Sequence, residues 1–294
     1  MSLYRPAGQA AAAFLLAKRK EVALYADAAM SGDPEGVHDL RVAVKRLREA
    51  LRLFSKLLPR RLRARALELT EQCNDALGRV RDLDVLLGHL QWLEEHAPAA
   101  VEALANLRET WQEQRGLALE DLLALWRRFK DGARLHTRIT KLADATTLRT
   151  KQLQRLPLES FAYLSIRARA RQVAERLTAL QEKDDPATLH RLRIAVKRLK
   201  YTMEPFLQAL PALAEPYAVV AKVQEAAGLT HDYDVLEAAV LEHFRTSGLR
   251  RTRAARQALE VLRERRAQLY AATRQEMKTL ARPQWHQALM YALD

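Results

Sequence analysis

Residues 33–54 read DPEGVHDLRVAVKRLREALRLF, and residues 185–206 read DPATLHRLRIAVKRLKYTMEPF. The two windows are identical at eleven of their 22 positions, at a constant offset of 152 residues. A second pair of similar segments follows, GRVRDLDVL at 78–86 and GLTHDYDVL at 228–236, at an offset of 150. Similar segments in the same order at a nearly constant offset indicate two copies of one structural unit.

A helix-forming composition extends over the whole chain. Gly occurs only nine times in 294 residues, and apolar residues recur with the 3.6-residue period of an α-helix. Arg-rich stretches at about 99–130 and 249–280 complete the two copies. We therefore predict an all-α fold of two pseudo-symmetric four-helix bundles, spanning 1–150 and 157–294, which together form one domain.

Clusters of Pro, Gly and Ser predict the helix ends. Asp33 and Asp185, each followed by Pro, are expected to cap the helices that begin in the two windows. The full set of expected breaks is Ser31–Pro34, Pro59, Ala97–Pro98, Lys130–Gly132, Pro157, Asp184–Pro186, Pro211, Gly228, Ser247–Gly248 and Pro283.

The chain is strongly basic, with 49 Lys and Arg against 36 Asp and Glu and a formal net charge of +13. Such an excess favours nucleic acid, an anionic membrane surface or a polyphosphate as partner. A single cysteine, Cys73, excludes an intrachain disulfide and indicates a reducing compartment. The apolar stretch 10–17 lacks the charge order of a secretory signal, and no stretch is long enough to span a membrane. We expect a cytoplasmic protein.

Each window predicts a helix with two chemically different faces. Leu, Val and Ala side chains share the face expected to pack inward. The opposite face carries basic residues within about 80° of arc, and like charges at this spacing repel by a few tenths of a kcal/mol per pair. The pattern therefore indicates an anion site, with a solvated helix face as the alternative. The first basic stripe is His38, Arg41, Lys45, Arg48 and Arg52, and the second is His190, Arg193, Lys197 and Lys200, with Glu204 in place of Arg52.

The motif H-x-x-R-x-x-x-K-x-x-[RK], present twice and followed each time by G-x-x-x-D-x-D-V-L, resembles the CHAD family of histidine-bearing α-helical domains. The resemblance covers both halves of the chain. It implies two pseudo-symmetric four-helix bundles that bind inorganic polyphosphate in a basic channel. Glu204 departs from the pattern and implies a shorter second stripe. By position, the resemblance assigns polyphosphate binding to His38, Arg41, Lys45, Arg48, His190, Arg193, Lys197 and Lys200.

The second motif is interpreted as structural. Gly78 and Gly228 are expected to end one helix, and an aspartate after each to cap the next. The remaining carboxylates would orient the basic stripes, while coordination of a metal is the alternative. The aspartates concerned are Asp82, Asp84, Asp232 and Asp234, and the candidates for additional anion contacts are Arg52, Arg81, Lys222 and His231.

Two other functions compete with polyphosphate binding. Single-stranded RNA or DNA would use the same phosphate contacts, but its binders usually add aromatic stacking platforms, and only Tyr201 lies near a stripe. A metal-dependent phosphohydrolase is suggested by the pairs His38–Asp39 and His231–Asp232, yet neither pair recurs in the other half. No Gly-rich phosphate loop or nucleophile elbow occurs.

From these alternatives we favour a non-catalytic protein without a cofactor. Its expected partners are inorganic polyphosphate and, through it, polyphosphate granules or polyphosphate-metabolising enzymes.

Overall fold

A computed structural model describes residues 6–148, 152–182 and 186–293. Within these ranges the chain folds into ten α-helices and four short 3-10 helices, without a β-strand. This confirms the prediction of an all-α fold. The α-helices are α1 (Ala7–Met30), α2 (Pro34–Leu53), α3 (Arg60–His96), α4 (Val101–Arg128), α5 (Ala133–Thr147), α6 (Leu158–Glu182), α7 (Pro186–Met203), α8 (Ala214–Thr246), α9 (Arg253–Leu280) and α10 (Pro283–Tyr291).

Most helix ends lie where the local sequence predicts them. The Asp33 carboxylate accepts a hydrogen bond from the backbone N–H of Gly36 at 2.7 Å, as expected of an N-cap. Between α4 and α5 the backbone turns through three residues of positive φ, of which Gly132 is the last. The expected cap Asp185 lies outside the described residues.

The prediction that Gly78 and Gly228 end helices is wrong, because α3 and α8 run through them without interruption. A glycine inside a helix costs only about 1 kcal/mol relative to alanine, and the buried faces of these long helices offset that cost. At Gly78 an added Cβ would lie 3.7 Å from the Nη2 atom of Arg41, which is an ordinary van der Waals distance. Gly78 therefore lies on the face of α3 that packs against α2.

The two halves repeat the same order of elements. Helices α1 to α5 precede α6 to α10, and α2 and α7 come from the two similar windows and pack against each other. Each half thus contributes five α-helices within the described ranges. The arrangement is compatible with an internal repeat, while the grouping into two four-helix bundles and the boundary at 150–157 stay predictions.

The main hydrophobic core takes side chains from both halves. Phe54 and Phe206 occupy equivalent positions in the two windows and are almost fully buried, with ring centroids 6.2 Å apart. Phe161 of α6 stacks on Phe54 at 5.7 Å. Cys73 is buried in this core, and burial raises the pKa of its thiol to about 12. Because aromatic rings bury large apolar areas, this cluster fixes α2 relative to α7.

A second hydrophobic core joins the far ends of the two long hairpins, α3–α4 and α8–α9. Leu90 and Leu104 from the first hairpin pack in it with Leu236 and Phe244 from the second. The hairpins therefore diverge from the α2–α7 contact and meet again at their tips. Between these two contacts, the helices α2, α3, α7 and α8 face one another across an open space.

Candidate anion-binding groove

A cavity of about 480 Å³ lies between α2, α3, α7 and α8, and we call it the central groove. Both basic stripes and both second motifs contribute to it. Five Lys and Arg side chains face only two carboxylates, so the lining carries net positive charge. Its lining residues are His38, Arg41, Lys45, Arg81, Asp82, Val85, Leu86, Arg193, Lys197, Gln224, Gly228, His231, Asp232 and Val235.

Lys45 and Lys197 meet in the groove. They occupy equivalent positions in the two windows and both line the cavity, and their side chains lie close enough for each to affect the pKa of the other. Burial, and then the charge of Lys197, lowers the pKa of Lys45 to about 7. Burial also lowers the pKa of Lys197. Two desolvated like charges at close range are unfavourable, so an anion placed against both would stabilise the charged pair.

The arginines of the groove are only partly neutralised. Arg41 donates a hydrogen bond from Nη2 to the Asp82 carboxylate at 3.0 Å, while its buried Nε atom finds no acceptor in the described part of the chain. On the other side, Asp232 interacts with Arg193, and burial raises the pKa of that carboxyl. The groove therefore presents arginine donors beside carboxylates that an incoming anion would have to displace.

Two histidines line the groove next to these arginines. Burial, and then the charge of Arg81, lowers the pKa of His38. Burial, and then Arg193, does the same for the pKa of His231. His190 is exposed, and its ring centroid lies 5.9 Å from that of His231. Burial and the neighbouring arginines thus disfavour the protonated forms of His38 and His231, and a bound polyanion would reverse that preference.

The structure thus brings seven of the predicted residues together in the groove, namely His38, Arg41, Lys45, Arg81, Arg193, Lys197 and His231. Lys200 lies next to the lining, because it donates a hydrogen bond to Gln224 at 2.8 Å. Arg48 forms an ion pair with Glu49, to which its Nη2 atom donates a hydrogen bond at 2.9 Å. Arg52 pairs with Glu49 and with Glu71 at 2.8 Å, and Lys222 pairs with Glu276 at 2.9 Å. None of these last three lines the groove, although the charge of Arg48 acts on Lys45 and Lys197.

The second aspartate of each motif joins the two helices of its own hairpin. Asp84 accepts a hydrogen bond from Arg115 of α4, and Asp234 accepts one from Arg266 of α9. The Nη2 atom of Arg115 also donates to the backbone carbonyl of Gly32 at 2.9 Å. The two arginines were missed from sequence, although their offset of 151 residues within the Arg-rich stretches marks them as equivalent.

The described ranges lack both a cluster of metal-ligating side chains and a helix that could span a membrane. They contain no group of three or more His, Cys, Asp or Glu side chains arranged to hold a metal ion. No helix in the same ranges combines the length and apolarity that crossing a membrane requires.

Comparisons with known proteins agree with the fold. A family profile described as CHAD domain matches residues 13–241. The crystal structure of the CHAD domain from the plant Ricinus communis is similar, with a TM-score of 0.67, 24% identity, and coverage of 95% of this chain and 93% of that one. PptA from Streptomyces chartreusis has a TM-score of 0.64 and 19% identity, covering 94% of this chain and 99% of that one. No curated protein gives a significant sequence match.

Proposed function

This chain belongs to the CHAD domain family, and on that premise we propose that it binds inorganic polyphosphate in the central groove without cleaving it. The observation that carries the proposal is the close approach of Lys45 and Lys197 among the five Lys and Arg side chains that line one groove. In a folded protein such a close approach is costly, and it is useful where an anion replaces the water that burial has removed.

The shape of the groove suits a thin chain of phosphates. Basic side chains one turn apart on a helix lie about 5–6 Å from each other, a spacing that suits neighbouring groups of a linear polyphosphate. Arg41 and Arg193 supply forked donors, whereas Lys45 and Lys197 act as compact point charges. In this mechanism successive phosphates bridge α2 and α7 and release their counterions.

Single-stranded nucleic acid fits the groove less well. The apolar side chains that line it are Val85, Leu86 and Val235, none of which offers an aromatic plane for a base. Tyr201 is engaged by Lys45, whose Nζ atom lies 5.2 Å from the ring centroid. A ligand with charge and without bases therefore uses more of the groove surface.

The proposal that the protein is non-catalytic is supported by hydrogen bonds that already occupy the carboxylates of the second motif. Asp82 accepts from Arg41, and Asp84 and Asp234 are held by arginines of the neighbouring helices. We propose that these groups position the basic side chains and that no cofactor takes part. A cytoplasmic location and association with polyphosphate granules or polyphosphate-metabolising enzymes belong to the same proposal.

The proposal is tested by competition and by product analysis. Long-chain polyphosphate should displace single-stranded RNA from the protein at matched phosphate concentration and near-physiological salt. After incubation, the length of the polyphosphate chain should be unchanged on a gel, with or without Mg²⁺ or Mn²⁺. Preferential binding of the RNA would favour a nucleic-acid function, and metal-dependent shortening of the polyphosphate would overturn the non-catalytic proposal.

A further inference from the structure

A second basic cavity lies between α2, α6 and α7. Its volume is about 540 Å³, and we call it the side cavity. Arg52, Arg169 and Arg198 line it, with Glu49 as the single acidic residue. Glu49 already accepts hydrogen bonds from Arg48 and Arg52. Its charge is therefore shared within α2, and Arg169 and Arg198 are left without an acidic partner in the described part of the chain.

The equivalent place in the other half of the molecule is neutralised. Arg46 corresponds to Arg198 in the two windows, and Glu204 corresponds to Arg52. Arg46 donates a hydrogen bond to Glu204 at 3.2 Å, and Glu204 also accepts one from the Tyr217 hydroxyl at 2.8 Å. Arg46 thus has a carboxylate beside it, whereas the equivalent Arg198 lines a cavity together with Arg52.

Helices α1 and α6 show the same difference in charge. They align at an offset of 151 residues, which matches their first residues and their buried positions, including Leu15 with Ile166. At this offset Lys18 corresponds to Arg169, and Glu21 to Gln172. Lys18 pairs with Glu21 at 2.6 Å, whereas Arg169 donates to the neutral amide oxygen of Gln172 at 2.9 Å.

The two acidic residues that act on Arg46, Glu21 and Glu204, are therefore replaced by Gln172 and Arg52 at the equivalent positions near the side cavity. A solvated surface has no reason to lose both carboxylates while keeping its arginines, because Arg169 and Arg198 then lack the acidic partners that offset repulsion between like charges. An anionic ligand supplies the missing negative charge.

We propose that the side cavity is a second anion-binding site, which takes phosphate groups of a polyphosphate chain after the chain leaves the central groove. The inference rests on the proposed function and extends it. Tyr201 connects the two sites, since its side chain lines the side cavity and its ring centroid is 5.2 Å from the Lys45 Nζ atom of the groove. The polyphosphate chain then leaves beside Arg198 and not beside the equivalent Arg46, so binding has a direction.

The side cavity matters only for chains that extend beyond the groove. The experiment compares long-chain polyphosphate with tripolyphosphate by titration calorimetry on the full chain. In the double variant Arg169→Gln/Arg198→Gln, affinity for the long chain should fall roughly tenfold. The slope of log K against log salt should become shallower by about 1.4, since each lost phosphate contact contributes about 0.7. Affinity for tripolyphosphate should stay within twofold of the unaltered protein.

A matched control removes the same charge from the same helix. Arg167 and Arg171 are exposed on α6 and do not line the side cavity, so Arg167→Gln/Arg171→Gln reports the effect of net charge alone. A second variant, Gln172→Glu, keeps every arginine and recreates the acidic partner found in the first half. It should also weaken long-chain binding selectively, and it guards against a loss caused by misfolding.

Three outcomes are distinguishable. A selective loss of long-chain affinity in the cavity variants, relative to the control, supports the side cavity. Long-chain affinities equal to those of the control overturn it and leave the proposed function intact. If the unaltered protein binds neither polyphosphate, the proposed function fails and this inference fails with it.

Discussion

At the scale of single residues, the decisive feature is the close approach of Lys45 and Lys197. Burial and the neighbouring ammonium bring the pKa of Lys45 to about 7, well below the value near 10.4 of an exposed lysine. The other charged groups that act on Lys45 are Arg41 and Arg48, which are also cationic. The groove therefore disfavours the protonated form of Lys45, and a bound polyanion would favour that form.

We expect binding to take up protons near neutral pH. The pKa values of Lys45, His38 and His231 are all lowered by burial and by neighbouring cations. A bound polyanion raises these three pKa values. Affinity for polyphosphate should therefore increase as pH falls from about 8 to 6. Calorimetry in buffers of different ionisation enthalpy measures the number of protons taken up.

The control for proton uptake is Lys45→Met. It should take up fewer protons and bind more weakly. Because the pKa of Lys45 is lower in the folded protein, the unfolded chain binds more protons between about pH 7 and 10.4. The cost of Lys45 to stability is thus complete below about pH 7 and disappears towards pH 10.4, so the variant should be more stable than the unaltered protein at pH 6. Equal proton uptake by the two proteins would remove Lys45 from the mechanism.

At the scale of elements, α2 and α7 carry the site because each has an apolar face and a basic face. The apolar faces meet the core through residues such as Leu47 and Leu199, which are fully buried. The basic faces then necessarily point away from the core, toward α3 and α8. These two helices remain unbroken at Gly78 and Gly228, and Gly78 lies beside Arg41.

Charge reversal on either helix should weaken binding without unfolding the protein. Arg41→Glu/Lys45→Glu on α2, or Arg193→Glu/Lys197→Glu on α7, replaces side chains opposite the core face, and each should lower polyphosphate affinity by at least tenfold, about 1.4 kcal/mol. Combining both pairs should abolish binding, because each half supplies part of one groove. Titration calorimetry measures the affinity, and circular dichroism should show unchanged helix content.

A matched control for charge reversal is Arg250→Glu/Arg251→Glu, in the segment between α8 and α9 and outside the groove. It changes net charge by the same amount. If this control weakens binding as strongly as the α2 variant does, the general charge of the protein accounts for binding and the groove has no specific role.

At the scale of the whole molecule, the net charge of +13 is distributed unevenly. Many arginines on the hairpins form local ion pairs, such as Arg108 with Glu94 at 2.6 Å and Arg245 with Glu242 at 2.5 Å. The groove and the side cavity keep cations in excess over carboxylates. Because both sites lie on the contact between the halves, we expect the positive field to be strongest where the two copies meet.

We expect polyphosphate affinity to depend steeply on salt. If the five Lys and Arg of the groove each neutralise one phosphate, log K should fall by about 3.5 per decade of salt, at about 0.7 per contact. The side cavity adds to this slope for long chains. Titrations between about 50 and 500 mM NaCl measure it. An affinity independent of salt would contradict electrostatic capture as a whole.

The fold class and much of the groove lining could be predicted without coordinates. The helical period can be recognised in the sequence, because neighbours on a helix face are only three or four residues apart. The repeat can be recognised because its two copies share the same residues in the same order. That is why His38, Arg41 and Lys45 were placed on one face together with their counterparts. The interpretation of Gly78 and Gly228 failed because a glycine inside a long helix looks like a helix end when only its neighbours in sequence are considered.

The sequence by itself determined that the chain is helical and that it contains an internal repeat. It also determined that the first helix of each copy has a basic face opposite an apolar face. Only the tertiary structure decided which basic residues meet. It placed Lys45 close to Lys197, paired Arg46 with Glu204, and left Arg198 and Arg52 in the lining of a cavity. The physical reason is that charge pairing depends on distances between helices. The shared Phe54–Phe206 core and the joined hairpin tips set these distances, and residues far apart in sequence create both contacts.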